Sequence, residues 1–152
     1  MENSPLLLSN QICFPIYSVS RLITQAYKPY LDKLGITYPQ YLVLLVLWEN
    51  DKLNVNEISK RLILNTNTIS PLLKRMQNLE IIRRTRSTID ERQVIVELTE
   101  KGYLMKEEAS SIPIKLTEQI LEKNIKMDEL VHLKETMTQM VKMLQSINSK
   151  EC

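Results

Sequence analysis

The fold is decided by residues 54–98, "NVNEISKRLILNTNTISPLLKRMQNLEIIRRTRSTIDERQVIVEL". Asn54 stands three residues before Glu57. That spacing is a capping box, in which each side chain satisfies a backbone N–H that a helix start leaves without a partner. Ile58 and Leu62 follow at helical spacing, and the polar break "LNTN" (64–67) ends the helix. The next segment, "TISPLLKRMQNLEII", carries Ile69, Leu72, Leu73, Met76 and Leu79 on one face, with Lys74 and Arg75 toward its end. Pro71 fits such a helix only near its start, where a missing N–H does little harm. Helix, tight break and helix make a helix-turn-helix pattern. "IIRRTR" (81–86) and "RQVIVEL" (92–98) are β-branched and partly alternating, which predicts two strands joined by the polar tip "STIDE". A basic hairpin directly after a helix-turn-helix is a winged helix, a far more specific pattern than either half.

Working outward, "TYPQ" opens another helix: Thr37 is the N-cap, Gln40 completes the box, and Pro39 sits in the first turn. It continues as "YLVLLVLW", apolar nearly all round and therefore a core helix. Before it, Ile12, Ile16, Val19, Ile23 and Tyr27 predict a first helix over about residues 10–30, with Gly35 as a C-terminal cap. After the wing, Thr99 caps a helix that Pro113 interrupts or kinks. A final helix over about 127–147 carries Leu130, Leu133, Met137, Met140, Val141, Leu144 and Ile147. That stripe is long for one small domain to cover. The expectation is a mainly α chain with a small β-wing. Residues 35–112 form a winged helix-turn-helix lobe, and 1–34 with 113–152 form helices that dimerise it. An intramolecular helix pair is the alternative.

The totals agree. Of 152 residues 43% are apolar and 25% charged, which suits one globular chain. Two glycines are too few for a turn-rich β-sandwich. No apolar run approaches the ~18 residues of a membrane span, and the N-terminus lacks the features of a signal peptide. Cys13 and Cys152 make no disulfide framework, which points to a reducing, cytoplasmic setting. One histidine (His132) and two distant cysteines argue against a zinc or haem site, so no cofactor is expected. The net charge is only +2, yet residues 74–92 hold six basic residues (Lys74, Arg75, Arg83, Arg84, Arg86, Arg92) against three acidic ones. The remainder holds 14 basic and 15 acidic residues. A positive field gathered in one short region is the footprint of a nucleic-acid contact.

Three stretches, "TYPQYLVLLVLWE", "SPLLKRMQNLEIIRRTRS" and "DERQVIVELTEKG", together with the order of helices and wing, resemble the MarR family of bacterial transcription regulators. The chain looks most like the organic-hydroperoxide sensors (OhrR type) and their one-cysteine staphylococcal relatives. The resemblance implies a homodimer on a pseudo-palindromic, double-stranded DNA operator, with no membrane partner. It also implies a reactive cysteine near the start of helix one and tyrosines around it: Cys13, Tyr17, Tyr27 and Tyr38. The recognition-helix place is taken by "NTNTISPLLKR", where Asn65, Thr66 and Asn67 replace the family's usual acidic residue, serine and glycine. Asp90 and Arg92 match its Asp-x-Arg wing pair.

From these residues a mechanism follows. Recognition helices of a symmetric dimer must lie about 34 Å apart to read one face of B-DNA. Thr66, Asn67, Thr68 and Ser70 suit base edges and phosphates. Lys74 and Arg75 suit the phosphate backbone, Arg84 and Arg86 add to the basic wing, and Arg92 suits the minor groove with Asp90 orienting its guanidinium. A free thiol is only ~3% thiolate at neutral pH, and peroxide attacks the thiolate. A helix N-terminus and phenol donors from Tyr27 and Tyr38 both favour the anion. In the resemblance these tyrosines come from different subunits, which puts the thiol at the dimer seam. Cys152 is a candidate resolving thiol, the alternative being a small cellular thiol that caps Cys13. Pro15 departs from the family, and requires helix one to kink or to start late. Three rivals remain: a regulator released by a small phenolic or lipophilic ligand, a thiol peroxidase, and a helical scaffold that binds no DNA.

Overall fold

A computed structural model describes residues 4–148, so Cys152 lies outside the described residues. The chain divides into two compact units, residues 1–112 and 113–152.

In the first unit a single 3-10 turn, Leu8–Asn10, precedes helix α1, Cys13–Lys33. Pro15 is therefore the third helical residue, where no intrahelical N–H bond exists to lose. Of the two outcomes that Pro15 allowed, the late start is the one observed. The helix also runs on through Pro29, three residues beyond the expected end. Its close is a Schellman motif: the Ile36 N–H donates to the Leu31 carbonyl and the Gly35 N–H to the Asp32 carbonyl, each over 3.1 Å. Gly35 takes φ +68°, the conformation this motif needs and glycine adopts without strain. Leu31 and Ile36, both buried, close the apolar contact across the turn.

Helix α2, Tyr38–Glu49, starts with the Thr37 N–H donating to Gln40 Oε1 over 2.8 Å. It buries Tyr41, Val43, Leu44, Val46 and Leu47, as a helix apolar all round must. Helix α3, Val55–Leu62, has both halves of its capping box. Asn54 Oδ1 accepts from the Glu57 N–H over 2.9 Å, and Glu57 Oε2 accepts from the Asn54 N–H over 2.7 Å. Ile63 ends it in the left-handed region (φ 55°), a strained place for a β-branched residue, costing about 1–2 kcal/mol. The turn around it is held by the Leu64 N–H on the Ser59 carbonyl (3.0 Å) and by the Ser59 hydroxyl on the Leu64 carbonyl. Helix α4, Thr66–Asn78, buries Ile69, Leu72, Leu73 and Met76. Leu79, expected on that face, lies past the helix end and is exposed.

The wing has strands β2, Ile82–Arg86, and β3, Val94–Leu98, antiparallel with Arg84 opposite Val96. A third strand went unforeseen. Strand β1, Leu53–Asn54, pairs with β3 through Leu53 and Val96, giving the order β1-β3-β2. Two residues ahead of a helix cap are too few to show any alternation. Ile82 and Val96 turn inward and join Val43, Leu44, Leu47, Ile58, Ile69, Leu73 and Met76 in the core. Helix α5, Glu100–Ser110, is capped by Thr99, whose hydroxyl oxygen accepts from the Gly102 N–H over 3.2 Å.

In the second unit, α6, Ile112–Leu121, begins just after Ser111, so Pro113 marks an interruption rather than a kink. Helix α7, Met127–Asn148, starts with Glu129 Oε2 accepting from the Lys126 N–H over 2.7 Å. None of its residues is buried.

Gly102 packs directly on the chain entering the wing. A Cβ there would stand 2.2 Å from the Ile81 carbonyl oxygen. Backbone at both sides must shift to admit it. Gly102→Ala is expected to destabilise by about 3 kcal/mol, lowering the melting temperature by roughly 10 °C in a thermal unfolding scan.

Candidate functional site

Cys13 is the first residue of α1 and is exposed. In that first turn the Phe14 N–H donates to the Gln11 carbonyl over 3.3 Å, and Pro15 has no N–H to offer. Tyr17 follows one turn later on the same face. Another turn on, Arg21 lies over it, its guanidinium 5.5 Å from the ring centroid and its Nη1 donating to the hydroxyl over 3.4 Å.

Tyr27 belongs to the other end of the helix. Fourteen residues at 1.5 Å each place it about 21 Å from Cys13 along the axis. There it meets Tyr38 edge-on, ring centroids 5.0 Å apart, and both pack on Tyr41 at 5.6 and 6.2 Å. Trp48 adds an edge contact to Tyr41 at 6.2 Å. Such ring pairs contribute about 0.5–1.5 kcal/mol beyond their burial. Burial, then the neighbouring Tyr38, holds the Tyr27 phenol above its ordinary value of 10, and burial does the same for Tyr38. Burial, with Tyr27 and Tyr38 alongside, pushes Tyr41 up to about 12. All three stay protonated at neutral pH and can donate. Among the described residues, no hydrogen bond within the chain engages the hydroxyls of Tyr27 or Tyr38. The structure thus brings Tyr27 and Tyr38 together, and Cys13 beside Tyr17, but keeps the two groups apart within one chain.

A second assembly lies between α4 and the wing. A cleft of about 180 Å³ is lined by Thr66, Ser70, Arg84 and Arg92, together with Asn56 and Gln93. Arg84 and Arg86 share one face of β2, since side chains two apart on a strand point the same way. Arg84 is half-buried, and its Nε has no partner among the described residues. Asn65, Asn67, Thr68, Lys74, Arg75 and Arg86 are exposed around this cleft's elements. Arg75 folds back on its own helix, Nε donating to the Pro71 carbonyl over 3.4 Å. Arg83 turns to the opposite face of β2 and pairs with Glu97 at 3.4 Å.

The wing tip corrects one expectation. Asp90 does not hold the Arg92 guanidinium: among the described residues no ion pair joins them. Its Oδ1 accepts from the Arg92 backbone N–H over 3.1 Å, and its Oδ2 from Gln93 Nε2 over 3.2 Å. The hydroxyl oxygen of Ser87 accepts from the N–H groups of Ile89 and Asp90. A carboxylate two residues ahead of an N–H closes a local turn more readily than it reaches a mobile side chain. Asp90 shapes the tip, and the Arg92 side chain is left exposed.

Residues 25–109 match the family described as transcriptional regulator SarA/Rot. The chain belongs to the SarA/Rot family of transcriptional regulators. It is 51% identical over 115 residues to the organic hydroperoxide resistance transcriptional regulator of Bacillus subtilis (strain 168), covering 74% of this chain and 78% of that one. It resembles a structure of reduced AbfR bound to DNA, with TM-score 0.74 and 38% identity over 90% of this chain and 93% of that one. A mutant MarR from E. coli, complexed with operator DNA, shares the fold at TM-score 0.79 and 22% identity over 92% and 99% of the two chains. The winged-helix, MarR-type reading of the three sequence stretches is borne out. Among the described residues, no helix is long and apolar enough to cross a membrane.

Within this SarA/Rot chain, sequence reasoning passed over Arg21, Tyr41 and Trp48. Spacing could have found them. Arg21 stands eight residues from Cys13, two helical turns, while Tyr41 stands one turn from Tyr38 and Trp48 two turns further on. It also passed over Asn56 and Gln93, which only tertiary pairing of β1 with β3 brings to the cleft.

The Tyr41 shift fixes a pH dependence. The folded chain holds that proton above the pH at which an unfolded phenol loses it. Stability is therefore intact below pH 10 and falls as pH rises toward about 12. Urea midpoints across this window are expected to fall more steeply in the wild type than in Tyr41→Phe, which has no phenol to titrate.

Proposed function

We propose that this chain is a dimeric, DNA-binding transcriptional repressor, released from its operator when an organic hydroperoxide or related oxidant oxidises Cys13. The role is regulatory rather than catalytic, and a thiol awaiting oxidation suits a reducing cytoplasm. The observation that carries the reading is the separation of the thiol from its donors. Cys13 is exposed at the start of α1, and among the described residues no hydrogen bond within the chain engages the Tyr27 and Tyr38 hydroxyls at its far end. A second copy packed antiparallel along α1 would bring each thiol to the other chain's phenols. In support, α1 leaves Val19, Leu22 and Ile23 exposed, as is Ile12 just before it, and α7 leaves Leu133, Val141, Leu144 and Ile147 exposed. These are the two stripes expected to dimerise.

The phenols then stabilise the thiolate that attacks the peroxide. The sulfur–oxygen bond forms as the peroxide O–O bond breaks, leaving a sulfenic acid and an alkoxide that takes a proton from water and departs as the alcohol. A small cellular thiol can condense with it, releasing water, to give a mixed disulfide. The new oxygen changes the packing and hydrogen bonding at the seam, where a small tilt moves both recognition helices away from their ~34 Å spacing.

On the DNA side, Thr66, Asn67, Thr68 and Ser70 open the recognition helix and face base edges and phosphates. Asn65 caps it. Lys74 and Arg75 lie along the backbone, Arg84 and Arg86 supply positive field, and Arg92 reaches the minor groove from a tip that Asp90 shapes.

A mobility shift on the protein's own promoter DNA, with and without an organic hydroperoxide, tests the redox reading. Wild type is expected to release DNA on treatment. Cys13→Ser is expected to bind normally and stay bound. Release of Cys13→Ser by peroxide would sink the reading. Release of both proteins by a phenolic compound alone would favour a ligand-sensing regulator, for which the 250 Å³ cleft lined by Leu31, Ile36, Tyr38 and Pro39 offers room.

The DNA assignment has its own test. Lys74→Ala is expected to weaken all sequences alike and to lower the salt slope by about one. Arg92→Ala is expected to cost more, about 1–3 kcal/mol, in titrations at fixed salt. Equal affinity in Arg92→Ala and wild type would remove Arg92 from the interface.

A further inference from the structure

We propose that Tyr41 is a positioning residue of the thiol site, its buried ring setting the phenols of Tyr27 and Tyr38 side by side so that both hydroxyls can donate to one sulfur. The proposal rests on the redox reading above.

Three observations carry it. Tyr41 is 3% exposed, whereas Tyr27 and Tyr38 are half-buried, so Tyr41 is the floor of the ring triangle and the other two form its rim. Both rim rings lie against that floor, at 5.6 and 6.2 Å, so neither can swing without losing contact with it. The floor is itself anchored away from α1. Trp48 lies edge-on to Tyr41 at 6.2 Å, and its Nε1–H donates to the Gly102 carbonyl over 2.9 Å. Gly102 in turn is pressed on the Ile81 carbonyl with no room for a Cβ.

The rim phenols come from two helices, Tyr27 from α1 and Tyr38 from the first turn of α2. Their own edge contact at 5.0 Å is one constraint on two freely rotating side chains. Tyr41 adds a second contact to each. A thiolate gains from two donors only if both aim at it together, and a phenol in another rotamer donates to solvent instead. Tyr41 acts through these neighbours, and its effect appears in the acidity of a thiol that it does not touch.

The test follows the pH dependence of Cys13 alkylation by iodoacetamide, using the full chain on a Cys152→Ser background so that only Cys13 reacts. Tyr41→Phe, which keeps the ring, is expected to match wild type. Tyr41→Leu is expected to move the midpoint up by about one pH unit, a roughly tenfold loss of thiolate at neutral pH. Its promoter affinity in the reduced state should be unchanged. Trp48→Leu, which removes the support behind Tyr41 without altering it, is expected to move the midpoint the same way. This variant keeps the test open if Tyr41→Leu does not fold. A midpoint moved by replacing both Tyr27 and Tyr38 with Phe, but not by Tyr41→Leu or Trp48→Leu, would overturn this proposal alone. A midpoint unmoved even by that double replacement would overturn the redox reading and this proposal with it.

Discussion

A helix cannot fold back on itself, and that constraint governs any sensing through Cys13 of the kind proposed. The thiol opens α1 and Tyr27 stands fourteen residues along it, about 21 Å away at 1.5 Å per residue. The fold then spends α2 on bringing Tyr38 and Tyr41 to Tyr27, not to the sulfur. A single chain holds its thiol at one end of a rod and, in the proposed reading, that thiol's phenol donors at the other. A second rod alongside, reversed, joins each end to its complement twice over. The uncovered apolar stripes on α1 and α7 are the surfaces that such an arrangement would bury. In this reading dimerisation is part of the sensor's chemistry and not only of DNA spacing.

Much of this was legible before any coordinate. Capping boxes at Thr37–Gln40 and Asn54–Glu57 are reciprocal local contacts, so spacing alone reveals them, and both helices start where those pairs predict. Gly35 was legible for the same reason. What escaped was whatever depends on a distant neighbour or on a competition between bonds. Strand β1 exists only because β3 lies beside it. Asp90 had two nearby donors, the Arg92 guanidinium and the Arg92 backbone N–H, and sequence cannot tell which prevails. The backbone group does, because it is already positioned by the turn. Pro15 looked like a defect while the helix start was placed at residue 10. With Cys13 as the first helical residue, the proline falls among N–H groups that have no partner in any helix. The tyrosines were foreseen individually, but the buried floor beneath them was not.

The basic wing shows how the fold sorts its charges. Counting residues 74–92 finds an excess of arginine, yet the strand alternates, so neighbouring arginines face opposite ways. Arg83 turns toward Glu97, directly opposite on β3, and Glu97 also takes Lys52 at 3.5 Å. Both cations of that cluster are exposed, although Glu97 is not, and solvent around them keeps the contribution to stability small. Its effect is to offset part of the positive charge on one face of the wing, one carboxylate against two cations. The other face keeps Arg84 and Arg86, and Arg84 reaches the cleft that also holds Arg92 from the tip and Thr66 and Ser70 from α4. Positive field is thereby concentrated where the recognition helix begins, on the side from which a duplex would be read.

The magnitude of the switch can be compared with the groups available. Moving a dimer from almost wholly DNA-competent to almost wholly incompetent needs about 5.5 kcal/mol of differential stabilisation. A hydrogen bond to a charged group contributes about 1.5–3 kcal/mol. Two phenol donors at each of two symmetric thiols place four such bonds at stake. Disturbing all four, at about 6–12 kcal/mol, supplies the required difference without unfolding any element, whereas two supply about 3–6 kcal/mol. That economy depends on the donors being fixed beforehand, since a phenol free to follow the sulfur's new oxygen would restore its bond and cancel the signal. In the proposed reading, rigidity beneath Tyr27 and Tyr38 is thus what carries the chemistry at Cys13 elsewhere. The buried ring of Tyr41, held from behind by Trp48 and through it by α5, is where this chain supplies that rigidity.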